Sequence, residues 1–218
     1  MKMRWVGVGV ALVLMLVAAA PVLAHQPFFE EGDLTAAFPW QIKDPSISTA
    51  IYATLSDRDD VDYFVFEGRR GQRILLEITI PQIAGQELFA PEMVLLGPGL
   101  GDAALPGRVA VPAGMGAELI PALTGPASTF NEPFSRTSYW ERQSRRITLP
   151  ADGRYVVAVW HGQGETGRYV FVIGDRERPG GDPAFGSKLR DYWTPVPQPP
   201  AAKAAERSAP QSSACGGY

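Results

Sequence analysis

Arg73-Ile74-Leu75-Leu76-Glu77-Ile78-Thr79-Ile80-Pro81 is the stretch whose reading decides the fold. Ile74, Leu76, Ile78 and Ile80 hold every second position. A strand turns alternate side chains to opposite faces, so these four form one apolar face until Pro81 interrupts the pairing. Before this core strand, Gly68 to Gly71 reads as a turn. Val61 to Phe66 is a β-branched and aromatic run of the kind strands prefer, and Ile51, Ala53 and Leu55 alternate with Tyr52 and Thr54 one strand earlier. After it, Met93 to Leu96 is a short apolar run closed by Gly97-Pro98-Gly99, as expected of another buried strand.

Further along, Pro150-Ala151-Asp152-Gly153 marks a turn, and two strong strands follow, Tyr155 to Trp160 and Arg168 to Ile173. Gly162 to Gly167 joins them, which predicts a hairpin. Pro and Gly recur too often for a 3.6-residue apolar stripe to persist, so no helix is expected after the N-terminal segment. The fold class that follows is all-β, an antiparallel β-sandwich or jelly-roll occupying residues 25–194. Residues 98–140 are rich in glycine and proline and read as a long loop insertion. Its apolar residues, Leu119, Ile120, Leu123, Phe130, Phe134, Tyr139 and Trp140, are expected to pack on the sandwich. From Pro195 to Tyr218 the chain is Pro, Ala, Ser, Lys and Gln with almost no large apolar residue. Such a tail cannot offset its ordering entropy and is read as disordered.

The first 24 residues read as a secretory signal. Lys2 and Arg4 lie at its start, Trp5 to Ala20 are apolar or glycine, and Pro21-Val22-Leu23-Ala24 presents small residues before a cut that makes His25 the new N-terminus. A secreted, periplasmic or cell-surface location is expected. The apolar run is shorter than the roughly 20 residues that cross a bilayer, and none follows it, so no mature transmembrane segment is expected. The formal charge is −3, and Arg69-Arg70 and Arg145-Arg146 are the only adjacent arginine pairs. A nucleic-acid partner, which requires a basic field, is therefore not expected. The single cysteine, Cys215, leaves no intrachain disulfide, so stability must come from packing.

Asp60-Val61-Asp62-Tyr63-Phe64-Val65-Phe66, Gly71-Gln72-Arg73-Ile74, Leu149-Pro150-Ala151-Asp152-Gly153-Arg154-Tyr155-Val156-Val157 and Gly167-Arg168-Tyr169 together resemble the bacterial pre-peptidase C-terminal domain, a small extracellular β-sandwich. The resemblance spans about residues 45 to 174. Over its full mature length, with His25-Gln26-Pro27, Gly97-Pro98-Gly99-Leu100 and Glu132-Pro133-Phe134, the chain resembles a set of uncharacterised exported bacterial β-sandwich proteins. The resemblance implies a fold and no activity. Some members bind calcium or collagen through an acidic N-terminal linker, and no counterpart of that linker is read here.

Three groups of residues carry candidate chemistry. The amine and imidazole of a terminal His25, with His161 as the other histidine of the chain, would form a histidine brace for copper, because nitrogen donors in a tetragonal arrangement suit Cu(II). Asp57-Arg58-Asp59-Asp60-Val61-Asp62 is acidic enough to suggest calcium, but an EF-hand needs Gly at its sixth position and Glu at its twelfth, where Asp62 and Gly68 stand. That cluster is expected to be a solvated turn whose carboxylates bond nearby amides. Phe134, Tyr139 and Trp140 in the insertion are candidate ligand-stacking aromatics, whereas Trp160 is expected in the core. No Gly-x-Ser-x-Gly elbow marks a hydrolase. Two functions follow from this reading. The first is an exported non-catalytic β-sandwich module for binding or cell-envelope interaction, with an unknown extracellular or envelope ligand and no cofactor. The alternative is a copper-binding protein with an N-terminal histidine brace.

Overall fold

Ile74, Leu76, Ile78 and Ile80 are all at most 2% exposed, and they lie on one face of the strand β5 (Arg73–Pro81) as the alternation requires. The computed structural model describes residues 25–123, 125–133 and 135–198. The expected N-terminal signal, Phe134, Cys215 and the stretch beyond 198 lie outside them.

The other strands, in chain order, are β1 (Gln26–Phe29), β2 (Trp40–Gln41), β3 (Thr49–Leu55), β4 (Val61–Gly68), β6 (Glu92–Gly97), β7 (Gly116–Ile120), β8 (Ser128–Glu132), β9 (Thr137–Thr148), β10 (Gly153–Trp160) and β11 (Gly167–Ile173). One sheet runs β1-β3-β11-β5-β9-β8 and the other β2-β4-β10-β6-β7. The fold is an all-β sandwich, as the sequence indicates. Its pairing is antiparallel except at one edge of each sheet, where β1 runs parallel to β3 and β2 parallel to β4.

The expected hairpin of β10 and β11 does not form. β10 lies between β4 and β6, and β11 lies between β3 and β5 in the other sheet. Their sequences explain this. Tyr155 to Trp160 and Tyr169 to Ile173 are buried without alternation, so each strand needs cover on both faces and sits inside its own sheet. Inward-facing Phe64, Phe66, Leu95, Tyr155, Val157, Phe171 and Ile173 fill the space between the sheets. On the outer face of the β4/β10/β6 sheet, Val109, with Ala103, Leu105 and Met115, packs over Val156, Ala158 and Trp160.

The outer face of the other sheet is covered by an element the sequence did not announce, the helix α1 (Phe185–Tyr192). Phe185, Leu189 and Tyr192 do hold i, i+4, i+7 spacing, but over too short a run to stand out. They pack on Phe29, Tyr52, Val170 and Val172. Asp182 Oδ1 accepts from the Ala184 amide at 2.8 Å ahead of the first turn, and Gly181, at φ 105°, lets the preceding chain lie against Pro27.

Residues 98–140 are only partly loop. They supply β7, β8 and the start of β9, the first two being the far edges of the two sheets. Glycine and proline punctuate these strands without preventing them. At the start of the stretch read as a tail, Thr166 Oγ1 donates to the Pro197 carbonyl at 2.8 Å, and Gln198 Nε2 donates to the Thr166 carbonyl at 2.6 Å.

The strand registers define two ends. Thr49 pairs with Ile173 and Gly68 with Gly153 at one end, and Leu55 pairs with Gly167 and Val61 with Trp160 at the other.

Candidate functional site

At the Leu55/Val61 end the N-terminal segment crosses from one sheet to the other. The Glu30 amide donates to the Tyr52 carbonyl at 3.0 Å, continuing the β1–β3 pairing, and four residues later the Leu34 carbonyl accepts from the Tyr63 amide at 2.7 Å. Asp33 is thereby placed beside the start of β4. The β3–β4 turn approaches from the other side. Asp57 Oδ1 accepts from the Asp59 amide at 2.8 Å, while Asp60 Oδ2 takes the Ser56 amide at 2.6 Å and the Ser56 hydroxyl at 2.9 Å. These two carboxylates close the turn as expected.

Asp62 does something different. Val61, Tyr63 and Val65 face outward, so strand parity turns Asp62 inward with Phe64 and Phe66, at the mouth of the space between the sheets. It is 1% exposed. Its Oδ2 accepts from the Tyr169 hydroxyl at 2.6 Å, and its Oδ1 is buried without a partner. One oxygen from each of Asp33, Asp60 and Asp62 falls within a 4.8 Å group. Glu30 stands alongside, hydrogen-bonded to Thr54.

Burial dominates the protonation of Glu30, Asp60 and Asp62. It pushes Glu30 up to about 7, with Thr54 and Arg168 pulling the other way and Asp60 adding to the rise. It raises Asp62 well above the ordinary carboxylate range, reinforced by the charge on Glu30. Asp60 is raised too, by burial and then by Asp33 and Asp57, against the Ser56 hydrogen bonds. Two unit charges 4.8 Å apart repel by about 3 kcal/mol at an effective dielectric of about 20. Protons or a cation at these oxygens would relieve that repulsion. Acidic oxygens with no nitrogen or sulfur donor suit a hard divalent ion, and calcium, which accepts six to eight oxygens in flexible geometry, fits such a set. Asp33, Asp60 and Asp62 would hold it, with Glu30 within reach and the remaining positions left to water.

The same N-terminal segment walls a groove of about 740 Å³ between the β1 and β2 edges. Phe28, Leu34, Trp40, Ile42 and Ile47 line it, and Phe38, 79% exposed, stands on its rim. Phe28 and Trp40 rings lie 6.0 Å apart across it. Asp33 belongs to both the groove and the carboxylate cluster.

The structure does not bring the two histidines together. His25 Nδ1 bonds the Ser48 hydroxyl at the Thr49 end. His161 follows β10 at the opposite end, where it stacks on Phe89 at 5.2 Å and accepts the Glu165 amide at 3.0 Å. The seven residues of β3 separate these ends by roughly 20 Å at about 3.3 Å per residue. Burial lowers both imidazoles below their usual range. Tyr139 and Trp140 do not share one surface either. Tyr139 is buried in the cluster under α1, and its hydroxyl lies 3.0 Å from that of Tyr52. Trp140, the next residue on β9, packs on the core between the sheets, and Phe134 is outside the described residues. Trp160 is buried, as expected, but on the outer face of its sheet.

Glu30 and Asp33 were not singled out in the sequence. Glu30-Glu31-Gly32-Asp33 is the acidic N-terminal stretch that would have marked them.

A β-sandwich with a carboxylate cluster at the mouth of its core is the class of molecule this geometry defines. No protein-family model matches the chain, and comparison with curated proteins returns no match. Among solved structures it is similar to PliG of Aeromonas hydrophila, a periplasmic inhibitor of g-type lysozyme (14% identity over 69% of this chain and 98% of that one, TM-score 0.36). It is also similar to the pre-peptidase C-terminal domain of a Bacillus anthracis collagenase (12% identity, 62% and 93%, TM-score 0.32). A third is CorA of Methylomicrobium album BG8, a surface-associated copper-binding protein (10% identity, 70% and 99%, TM-score 0.31). At these identities and scores, none of the three bears on a ligand or activity of this chain. Among the described residues, no helix is long and apolar enough to cross a membrane.

Proposed function

We propose that this chain is an exported, non-catalytic β-sandwich binding module that takes calcium, or a similar hard divalent ion, at Asp33, Asp60 and Asp62. Export rests on the signal read in residues 1–24. The observation that carries the cation reading is the unpartnered Asp62 Oδ1, in a side chain 1% exposed, set among two further carboxylates. A buried acceptor left without a donor costs about 1–3 kcal/mol, and more when charged. A bound cation removes both that cost and the mutual repulsion. By drawing Asp33 toward β4 it also fixes the segment that walls the apolar groove, the surface on which a ligand would be held.

Calorimetric titration of metal-free protein with calcium at pH 8 tests this reading. One cation per chain is expected, and a repeat at pH 6, where Glu30 holds its proton, should release protons on binding. Heats indistinguishable from dilution at pH 8 would remove the cation from the proposal and leave the groove alone.

A further inference from the structure

The opposite end of the sandwich carries the opposite charge. Around the Thr49/Gly68 end, the Asp44–Ser46 loop, the β4–β5 turn and the Asp152-Gly153 turn enclose a polar cleft of about 1030 Å³. Lys43, Arg69, Arg70 and Arg176 stand around it. Two of its three carboxylates are already engaged. Asp44 accepts from the Ser46 amide at 3.0 Å, its hydroxyl at 2.6 Å and Arg176 at 2.9 Å, and Asp152 accepts from the Arg70 amide at 2.7 Å. Glu67 is the third, on the rim. The exposed side chains of Lys43, Arg69 and Arg70 make no ion pair or hydrogen bond among the described residues. The contrast with the other arginine pair is direct: Arg145 is bound to Glu118 at 3.5 Å and Arg146 to Asp175 at 3.3 Å.

We propose that this cleft is a docking surface for the phosphate headgroups of an anionic membrane. Two observations converge on that occupant. Lys43, Arg69 and Arg70 gather on one cleft of a chain whose net charge is −3, and Asp44 and Asp152 beside them are already engaged, so a negative surface is drawn to that end. The cleft is open and polar, suited to charged headgroups and not to an acyl chain. Each lysine or arginine near an anionic bilayer strengthens attachment by about fivefold, and the gain falls away within a Debye length as salt is added.

Co-sedimentation with phosphatidylcholine vesicles, with and without phosphatidylglycerol, tests the surface. The chain from His25 onward, which holds every described element, is used so that the apolar stretch cannot insert by itself. Binding only to the phosphatidylglycerol vesicles, and only at low salt, is expected. Arg69→Ala with Arg70→Ala should weaken it roughly thirty-fold, the product of two such cations. Arg145→Ala with Arg146→Ala removes the same formal charge and should leave it within about twofold, since those guanidinium groups are neutralised by their partners. Melting curves of both variants check that the fold is kept. Equal loss in the two pairs, no preference for phosphatidylglycerol, or binding of inorganic pyrophosphate without any binding to vesicles would each overturn the proposal.

Discussion

Asp62→Asn separates the roles of the buried carboxylate more sharply than any other single change. In the metal-free protein Asp62 shares a 4.8 Å group of oxygens with Asp33 and Asp60. Each ionised pair at that distance costs about 3 kcal/mol at an effective dielectric of about 20. Proton uptake relieves much of this, because burial and Glu30 raise the Asp62 carboxyl and burial lifts Glu30 to about 7. The folded chain thus binds these protons more tightly than the unfolded chain does. The stability that the Glu30 proton contributes without calcium is fully present below the unfolded carboxylate value near 4 and is lost as pH rises through about 7. For Glu30 alone, the rise from 4.5 to about 7 corresponds to about 3 kcal/mol. Asparagine keeps the carbonyl that accepts from Tyr169 and turns an amide toward Asp33 and Asp60, replacing repulsion by donation. At pH 8 without calcium, Asp62→Asn is therefore expected to be more stable than the parent by about 2 kcal/mol, or roughly 4–8 °C in Tm for a domain of this size. Calcium at a hundredfold excess over Kd adds about 2.7 kcal/mol to the parent, and the variant should lose most of that gain. Thermal melts at pH 5 and pH 8, with calcium and with chelator, read all four corners. A variant less stable than the parent at pH 8 in chelator, or one with an undiminished calcium shift, would refute the reasoning.

The strand at the centre of the reading has its own test: Ile74→Asp should lower Tm far more than Arg73→Asp, since Ile74 is buried between the sheets and an unpaired carboxylate there costs several kcal/mol; matched melts of the two variants check it. Tyr192→Phe should cost about 1–3 kcal/mol in urea unfolding, because it leaves the carbonyls of Ala53 and Tyr169 without the hydroxyl that reaches them at 2.8 and 2.6 Å.

The alternating residues of β5 and the apolar runs of β3, β4, β6, β10 and β11 were legible because periodicity and β-branched composition act locally. What paired with what was not. The loop from His161 to Thr166 looks like a hairpin connection, and only the two-sided burial of both flanking strands sends them to different sheets. α1 escaped notice because three apolar residues over eight positions make too weak a stripe, and its stability comes from packing on Tyr52 and Phe29. For the candidate site, the acidic run before β4 was visible, but its burial was not. Counting from Val61 outward puts Asp62 inward, and that parity is known only once the outer face is known. Glu30 and Asp33 reach it through a parallel edge pairing that no local pattern encodes. His25 and His161 drew attention as a chemically matched pair, and chemical matching carries no information about the length of β3 between them.

β11 is the last strand of the chain and lies between β3 and β5, two of the earliest. In a polypeptide emerging N-terminus first, that sheet cannot assemble until residue 173 is free, because β3 and β5 have no direct pairing to begin from. Successive strands from β3 to β6 alternate between sheets, so few contacts join neighbours in sequence, and folding is expected to be slow in the way of other topologies dominated by distant pairings. The delay acts as a timer. The closing strand then brings the whole sandwich into its native state at once.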